Sequence, residues 1–356
     1  MAERRRTVGT ERLEKLRRLW NLAAELGASD IHVAEGTVWF RRDGVLAPVD
    51  RKTAGYSKEG IWKPDSDIGE KELLYLLAEK GTERHRRDLA DSGQCDFSWQ
   101  ERGMGRLRVN LYRAGGTVRG ALRLIPGEVP VLADLGLPPA VTEAVGMDKG
   151  LVLITGMTGS GKSSTLAAII QEMNRTRPLH IITLEDPVEF SYPSGLALIQ
   201  QRELGRDTAD FSGALRAALR EDPDVILVGE MRDRETIATA LTAAETGHLV
   251  LGTLHTSDAV GTVSRIVSAF PPEQQQQVCG QLGENLRLIV SQKLLRKKEG
   301  KGRFALCEVL VAVPAICRLV RENRWEQIQS YLETGGAQGM QTFAAAERKA
   351  VSRGLL

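Results

Sequence analysis

Cysteine is scarce in this chain. Its 356 residues hold four, at positions 95, 279, 307 and 317, and no two share a C-x-x-C spacing. That argues against a zinc ribbon and a disulfide framework and fits a reducing compartment. An excess of one charge is also lacking, because 48 basic against 46 acidic residues leave a formal net charge of +2. No global field draws the chain to nucleic acid or to an acidic membrane. Aromatic residues make up only 5%, without the basic and aromatic stripe of a nucleic-acid groove, so no nucleic-acid partner is expected. Long apolar runs are absent too: the longest, near residues 304–320, is broken by Glu308, Pro314 and Arg318, whereas a spanning helix needs about 20 clean residues. The opening MAERRR lacks the apolar stretch of a secretory leader, and a cytoplasmic protein is the expectation.

What is present describes an ordinary globular chain, 42% apolar and 26% charged, long enough for about two domains of ~150 residues. Leu13, Leu16, Leu19, Trp20 and Ala23 recur at steps of three and four, which predicts an amphipathic helix over 11–26 with an arginine-rich solvated face. Short strands follow at 31–33 and 38–41, with turns at Glu35-Gly36 and Asp43-Gly44, a loop over 51–68, a helix near 70–90 and further strands from about 95 to 125. The segment Pro126-Gly127-Glu128-Val129-Pro130 is the expected boundary, giving domains 1–128 and 129–356. Beyond it, LVLIT, HIITL, VILVG and HLVLGTL alternate with helical stretches. Apolar runs without polar alternation suit strands buried on both faces of a mostly parallel sheet, so the second domain is expected to be α/β. The glutamines 274–277 fall in an expected helix.

The strongest motif is Gly156-Met157-Thr158-Gly159-Ser160-Gly161-Lys162-Ser163, a full G-x-x-x-x-G-K-[ST] between a strand and a helix, with Ser164 following. Its glycines let backbone N–H groups turn inward around phosphate oxygens, and the helix directs its positive end at the same anion. Lys162 is expected to reach the β- and γ-phosphates of ATP and Ser163 to ligate Mg²⁺. Hydrolysis needs acids at the carboxyl ends of neighbouring strands, where ligands of open α/β sheets bind. HIITL runs into Glu185-Asp186 and DVILV into Gly229-Glu230. Gly229 stands where an aspartate often holds the metal, so Glu230 is expected to serve there, leaving Glu185 to orient or deprotonate the attacking water. His255, at the end of the strand Leu249–Leu254, sits where a γ-phosphate sensor is expected; His248, at the strand's other end, is a weaker candidate.

The blocks TGMTGSGKSSTLAAII, TLEDPVEF and QRELGRDTADFSGALRAALREDPDVILVGEMRDRETIATALTAAETGHLVLGTLHTSDA resemble the Walker A, Asp-box, Walker B and His-box segments of type II/IV secretion ATPases. GEMRD and ALTAAETGH are most similar to the pilus retraction branch, the PilT family, and the likeness extends through GASDIHVAEG, GRLRVNLYR and GGAQGMQTF. It implies a PAS-like α+β domain followed by a RecA-like P-loop ATPase domain, a homo-hexameric ring with ATP between subunits, and a cytoplasmic motor acting on a platform protein of the inner membrane to retract type IV pili. It makes Lys162 and Ser163 the Walker A pair, Glu185 the catalytic Asp-box glutamate, Glu230 the Walker B acid and His255 the His box. Arg108 and Arg123 match arginines that the family directs at nucleotide phosphates, a role suited to guanidinium. Departures are Met157, where proline is usual, and Ala315-Ile316-Cys317-Arg318-Leu319-Val320-Arg321-Glu322, where the retraction branch often reads AIRNLIRE. Pilus-extension and type II secretion ATPases share these motifs, and an ATP-binding adaptor without turnover is the remaining alternative.

Overall fold

A computed structural model describes residues 2–34, 36–42, 44–49, 68–101, 104–125, 128–298 and 302–356. The loop expected over 51–68 lies, apart from Ile68, outside the described residues, as do Glu35, Asp43 and the Pro126-Gly127 of the expected boundary. Two compact units divide the chain, residues 1–127 and 128–356.

In the first unit β1 (Asp30–Ala34), β2 (Thr37–Arg42), β3 (Val45–Pro48), β4 (Gln94–Glu101), β5 (Gly105–Ala114) and β6 (Thr117–Ile125) form one sheet in the order β3-β2-β1-β6-β5-β4. All its pairings are antiparallel. Successive residues of β5 alternate: Leu107, Val109 and Leu111 are buried while Arg106, Arg108 and Asn110 face the other way. The apolar face packs with α1 (Ala2–Glu25) and α2 (Glu70–Lys80), where Leu16, Leu19, Leu73 and Leu76 are buried and the rings of Trp20 and Trp99 meet edge to face at 5.1 Å. The helix expected near 70–90 is two. Gly81 ends α2 in an extended conformation, and Thr82 starts α3 (Glu83–Asp91), its hydroxyl accepting the His85 N–H. Threonine at an N-cap favours a new start over continuation.

The second unit is built on seven strands, β7 (Gly150–Thr155), β8 (His180–Glu185), β9 (Leu198–Glu203), β10 (Val225–Val228), β11 (Leu249–Leu254), β12 (Leu286–Arg296) and β13 (Arg303–Val311), in the order β13-β12-β7-β11-β10-β8-β9. Every neighbouring pair is parallel except the β12–β13 hairpin. After the short α4 (Pro139–Thr142), its helices are α5 (Lys162–Thr176), α6 (Phe211–Ala218), α7 (Arg234–Glu245), α8 (Ala259–Ser268), α9 (Pro272–Asn285), α10 (Pro314–Arg321), α11 (Ile328–Thr334) and α12 (Phe343–Ser352). The sheet separates two apolar layers. Leu151 and Leu153 join the layer of α7, α8 and α9, while Val152 and Ile154 join that of α5. Strands sandwiched in this way show no polar alternation.

Aspartates begin three of these helices. Asp210, Asp233 and Asp258 accept the backbone N–H of Gly213, Thr236 and Gly261 at the starts of α6, α7 and α8. By contrast α5 has Gly161 at its N-cap, and no capping side chain accepts from its first N–H groups. On α10, Ile316, Leu319 and Val320 form the buried stripe, Arg318 pairs with Glu322, and the Cys317 thiol meets the Ala312 carbonyl. Neither Cys317 nor Arg318 belongs to that stripe. Among the described residues, no helix is long and apolar enough to cross a membrane.

Candidate nucleotide site

Four parallel strands, β7, β8, β10 and β11, end on one edge of the sheet, and most of the expected site residues stand there. The loop from Gly156 to Gly161 leaves β7 and enters α5. All three of its glycines have positive φ, and two of them are crowded as well. Gly156 has φ 141°, and a Cβ there would meet the Gln292 carbonyl oxygen at 2.3 Å; Gly161 has φ 90°, and a Cβ there would meet Gln292 Nε2 at 2.8 Å. Thr158, Gly159 and Ser163 are exposed, Ser164 is half-buried, and Ser160 is buried with its hydroxyl lacking a partner. Lys162 folds back over the loop, its Nζ donating to the carbonyls of Gly156 at 2.7 Å and Met157 at 3.2 Å. Burial lowers the pKa of this amine, opposed by the charges of Glu230 and Glu189. An uncapped helix start, exposed backbone and one ammonium group form a receptor for an anion.

Glu185 is the last residue of β8. Its Oε1 accepts from Thr183 Oγ1 at 2.6 Å and from Gln201 Nε2 at 3.1 Å. Thr183 and Gln201 are direct neighbours across the β8–β9 pairing, so the register that joins these strands also builds the carboxylate's seat. Desolvation raises the Glu185 pKa against these hydrogen bonds. A carboxylate with a raised pKa, fixed in orientation, has the character of a general base.

Glu230 follows β10 by two residues. Gly229 between them is forced by crowding, because its N–H donates to the Leu184 carbonyl at 2.7 Å and a Cβ would lie 2.8 Å from that oxygen. That position has no room for an aspartate. Glu230 Oε1 lies 2.5 Å from Arg232 Nε and 3.1 Å from His255 Nε2. Burial works to raise the Glu230 pKa, but Arg232 and His255 hold the carboxyl below its ordinary value. His255 thus joins the site from the end of β11. His248 does not: it precedes that strand, and its Nδ1 meets Thr246 Oγ1 and the Ala243 carbonyl at the end of α7.

Arg108 and Arg123 belong to the first unit, where they are direct neighbours across β5 and β6. Arg123 Nε donates to Asp30 Oδ1 at 2.8 Å, and Arg108 lies 3.6 Å from Asp96. The structure brings these two arginines together on one sheet.

Sequence reasoning passed over Arg232, Thr183, Gln201 and Gln292. Arg232 lies within GEMRD, where nothing in the sequence sets it apart. Thr183 and Gln201 required the β8–β9 register, and β9 itself was not anticipated. Gln292 carried a legible signal: Ser291-Gln292 is a polar pair following the apolar run LRLIV.

A parallel sheet with a glycine-rich phosphate loop after one strand and glutamates at the ends of two others defines a P-loop nucleotide hydrolase. The family described as type II/IV secretion system protein matches residues 132–356. The type IV pilus retraction ATPase PilT of Pseudomonas aeruginosa is 42% identical over 94% of this chain and 93% of its own. A twitching motility protein of Neisseria gonorrhoeae is 46% identical over 82% of this chain and 78% of its own. Among solved structures, the pilus retraction motor PilT with bound ADP aligns with a TM-score of 0.81 at 44% identity, covering 94% of this chain and 92% of that one. The chain belongs to the type II/IV secretion ATPase family, within its PilT group. Its fold is accordingly a PAS-like α+β unit followed by a RecA-like ATPase unit.

Proposed function

We propose that this protein is the motor of type IV pilus retraction, hydrolysing ATP to withdraw pilin subunits. The observation that supports this most is the seating of Glu185 and Glu230 at adjacent strand ends beside the phosphate loop. In this reading the backbone from Gly156 to Ser164 and the Lys162 ammonium bind the phosphates of ATP. Ser163 and Glu230 would hold Mg²⁺; both are oxygen donors of the kind this ion selects, and the lowered pKa of Glu230 keeps its carboxylate ionised. Bound there, the ion would neutralise charge on the phosphates. Glu185 accepts the proton of the attacking water, and its bonds to Thr183 and Gln201 keep the carboxylate aimed. His255 reports on the γ-phosphate through its contact with Glu230. Arg108 and Arg123 exchange Asp96 and Asp30 for the phosphates of a nucleotide.

The domains are taken as 1–128 and 129–356, and the working unit as a homo-hexamer. Loss of phosphate changes the charge the arginines meet and drives motion between domains. That motion is delivered to a platform protein on the inner face of the cell membrane. Deleting the gene is the test. Cells that bear excess pili, lose twitching and recover it with the wild-type gene but not with Glu230→Gln support retraction. Bald cells would move the protein to the extension class, and unchanged piliation would contradict a motor role.

A further inference from the structure

A phosphate loop works only if its peptide N–H groups point at the anion, and something outside the loop must hold them so. On β12, beside β7, Gln292 is 2% exposed. Its Nε2 donates to the Ser160 carbonyl at 2.8 Å, and its Oε1 accepts from Thr165 Oγ1 at 3.0 Å. One buried carboxamide therefore spans the last turn of the loop and the first turn of α5. Its neighbour Ser291 ties the same strand to the loop's other end, where Ser291 Oγ and Thr155 Oγ share a hydrogen bond of 2.9 Å.

Peptide planarity gives the amide bond its consequence. The Ser160 carbonyl and the Gly161 N–H belong to one trans peptide, so they point in opposite directions. Anchoring the carbonyl to Gln292 turns the Gly161 N–H away from β12. The Ser160 hydroxyl, buried without a partner, supplies no substitute anchor. The close approach also bears on the motif: the Gln292 backbone and side chain occupy the space that Cβ atoms at Gly156 and Gly161 would take.

We propose that Gln292 is a positioning residue for nucleotide binding, its buried carboxamide fixing the Ser160–Gly161 peptide in the orientation that receives phosphate. This rests on the reading of the loop as a nucleotide site. It assigns a binding role to a residue remote from the phosphate motif in sequence, acting through the loop and not on the nucleotide.

The test is titration of the full-length protein with fluorescent ADP, comparing wild type with Q292M and Q292E, with circular dichroism on the same samples. Methionine keeps the length of the side chain and loses both polar atoms; Q292M binds ADP about tenfold more weakly or worse. Glutamate keeps the shape but, when ionised, offers only acceptors to the Ser160 carbonyl; burial raises its pKa, and the neutral acid regains a donor. Q292E is therefore weak at about pH 8 and recovers about fivefold, relative to wild type, by about pH 6. A folded Q292M within twofold of wild type overturns the proposal, as does a Q292E whose affinity relative to wild type is the same at both pH values. Should Q292M fail to fold, the pH response of Q292E decides. Wild-type protein that binds no ADP would overturn the nucleotide reading, and the proposal with it.

Discussion

The two units use β-sheet in opposite ways. In the first, an antiparallel sheet is apolar on one face and carries Arg106, Arg108, Asn110 and Arg123 on the other, so its charge is spread along the strands. In the second, the central strands are apolar on both faces, and the candidate chemical groups gather at one edge, at Glu185, Glu230, His255 and Lys162. Burial on both sides leaves the strand ends as the place for polar groups, and there low dielectric perturbs their pKa values. The first sheet spreads its charge along the strands; the second concentrates it at strand ends.

Removing Glu185, the proposed base, should have the largest effect. Glu185→Gln should lower kcat about 10²- to 10⁴-fold, the usual worth of a general base, while nucleotide affinity stays near wild type in a binding titration. The pH dependence has a definite sign. Because desolvation lifts the Glu185 pKa above the ordinary 4.5, turnover falls as pH drops through that raised value, and the variant loses this limb. For stability the sign reverses: a raised folded pKa favours the folded state below the unfolded pKa, and that favour is lost as pH rises through the folded value. Glu185→Gln should accordingly melt no lower than wild type at neutral pH.

In the first unit the largest effect lies in packing. Trp20→Ala removes a ring buried against Trp99 and should cost about 3–5 kcal/mol in denaturant unfolding. Lys162→Ala comes next, weakening nucleotide binding by about 10- to 100-fold through loss of a charged contact to phosphate. The smallest effect sharpens the contrast. Burial works to raise the Glu101 pKa, but hydrogen bonds from Trp99, Lys80 and Arg17 hold it at about 2. This depressed value contributes stability above the unfolded pKa of about 4.5, lost as pH falls toward 2. Glu101→Gln should flatten the acid limb of the melting curve without touching turnover.

How legible these units were from sequence follows the same physics. The phosphate loop, β7, β8, β10 and β11 were readable because double burial writes continuous apolar runs and the loop's backbone demands glycine. The first unit's helix through Leu13 and Trp20 was readable from its period. The break at Gly81-Thr82 was missed although its signals are present: no apolar residue but Ala78 stands between Leu77 and Leu89, and a glycine followed by a capping threonine interrupts the helix. Contacts such as Gln201 on Glu185, or Gln292 on the phosphate loop, join residues that sequence separates and only strand register brings together. His255, at the carboxyl end of its strand, was already favoured over His248 at the other end of the same strand. Parallel topology set them at opposite ends of the sheet and gave only His255 a place by the acids.

Steady-state hydrolysis of Mg·ATP by wild type and by Glu230→Gln, with nucleotide binding measured on the same samples, bears most directly on this account. Wild-type protein should turn over ATP, and the variant should keep binding with turnover abolished. Equal turnover by the two proteins, or tight ATP binding by wild type with no hydrolysis at any protein concentration, would contradict it.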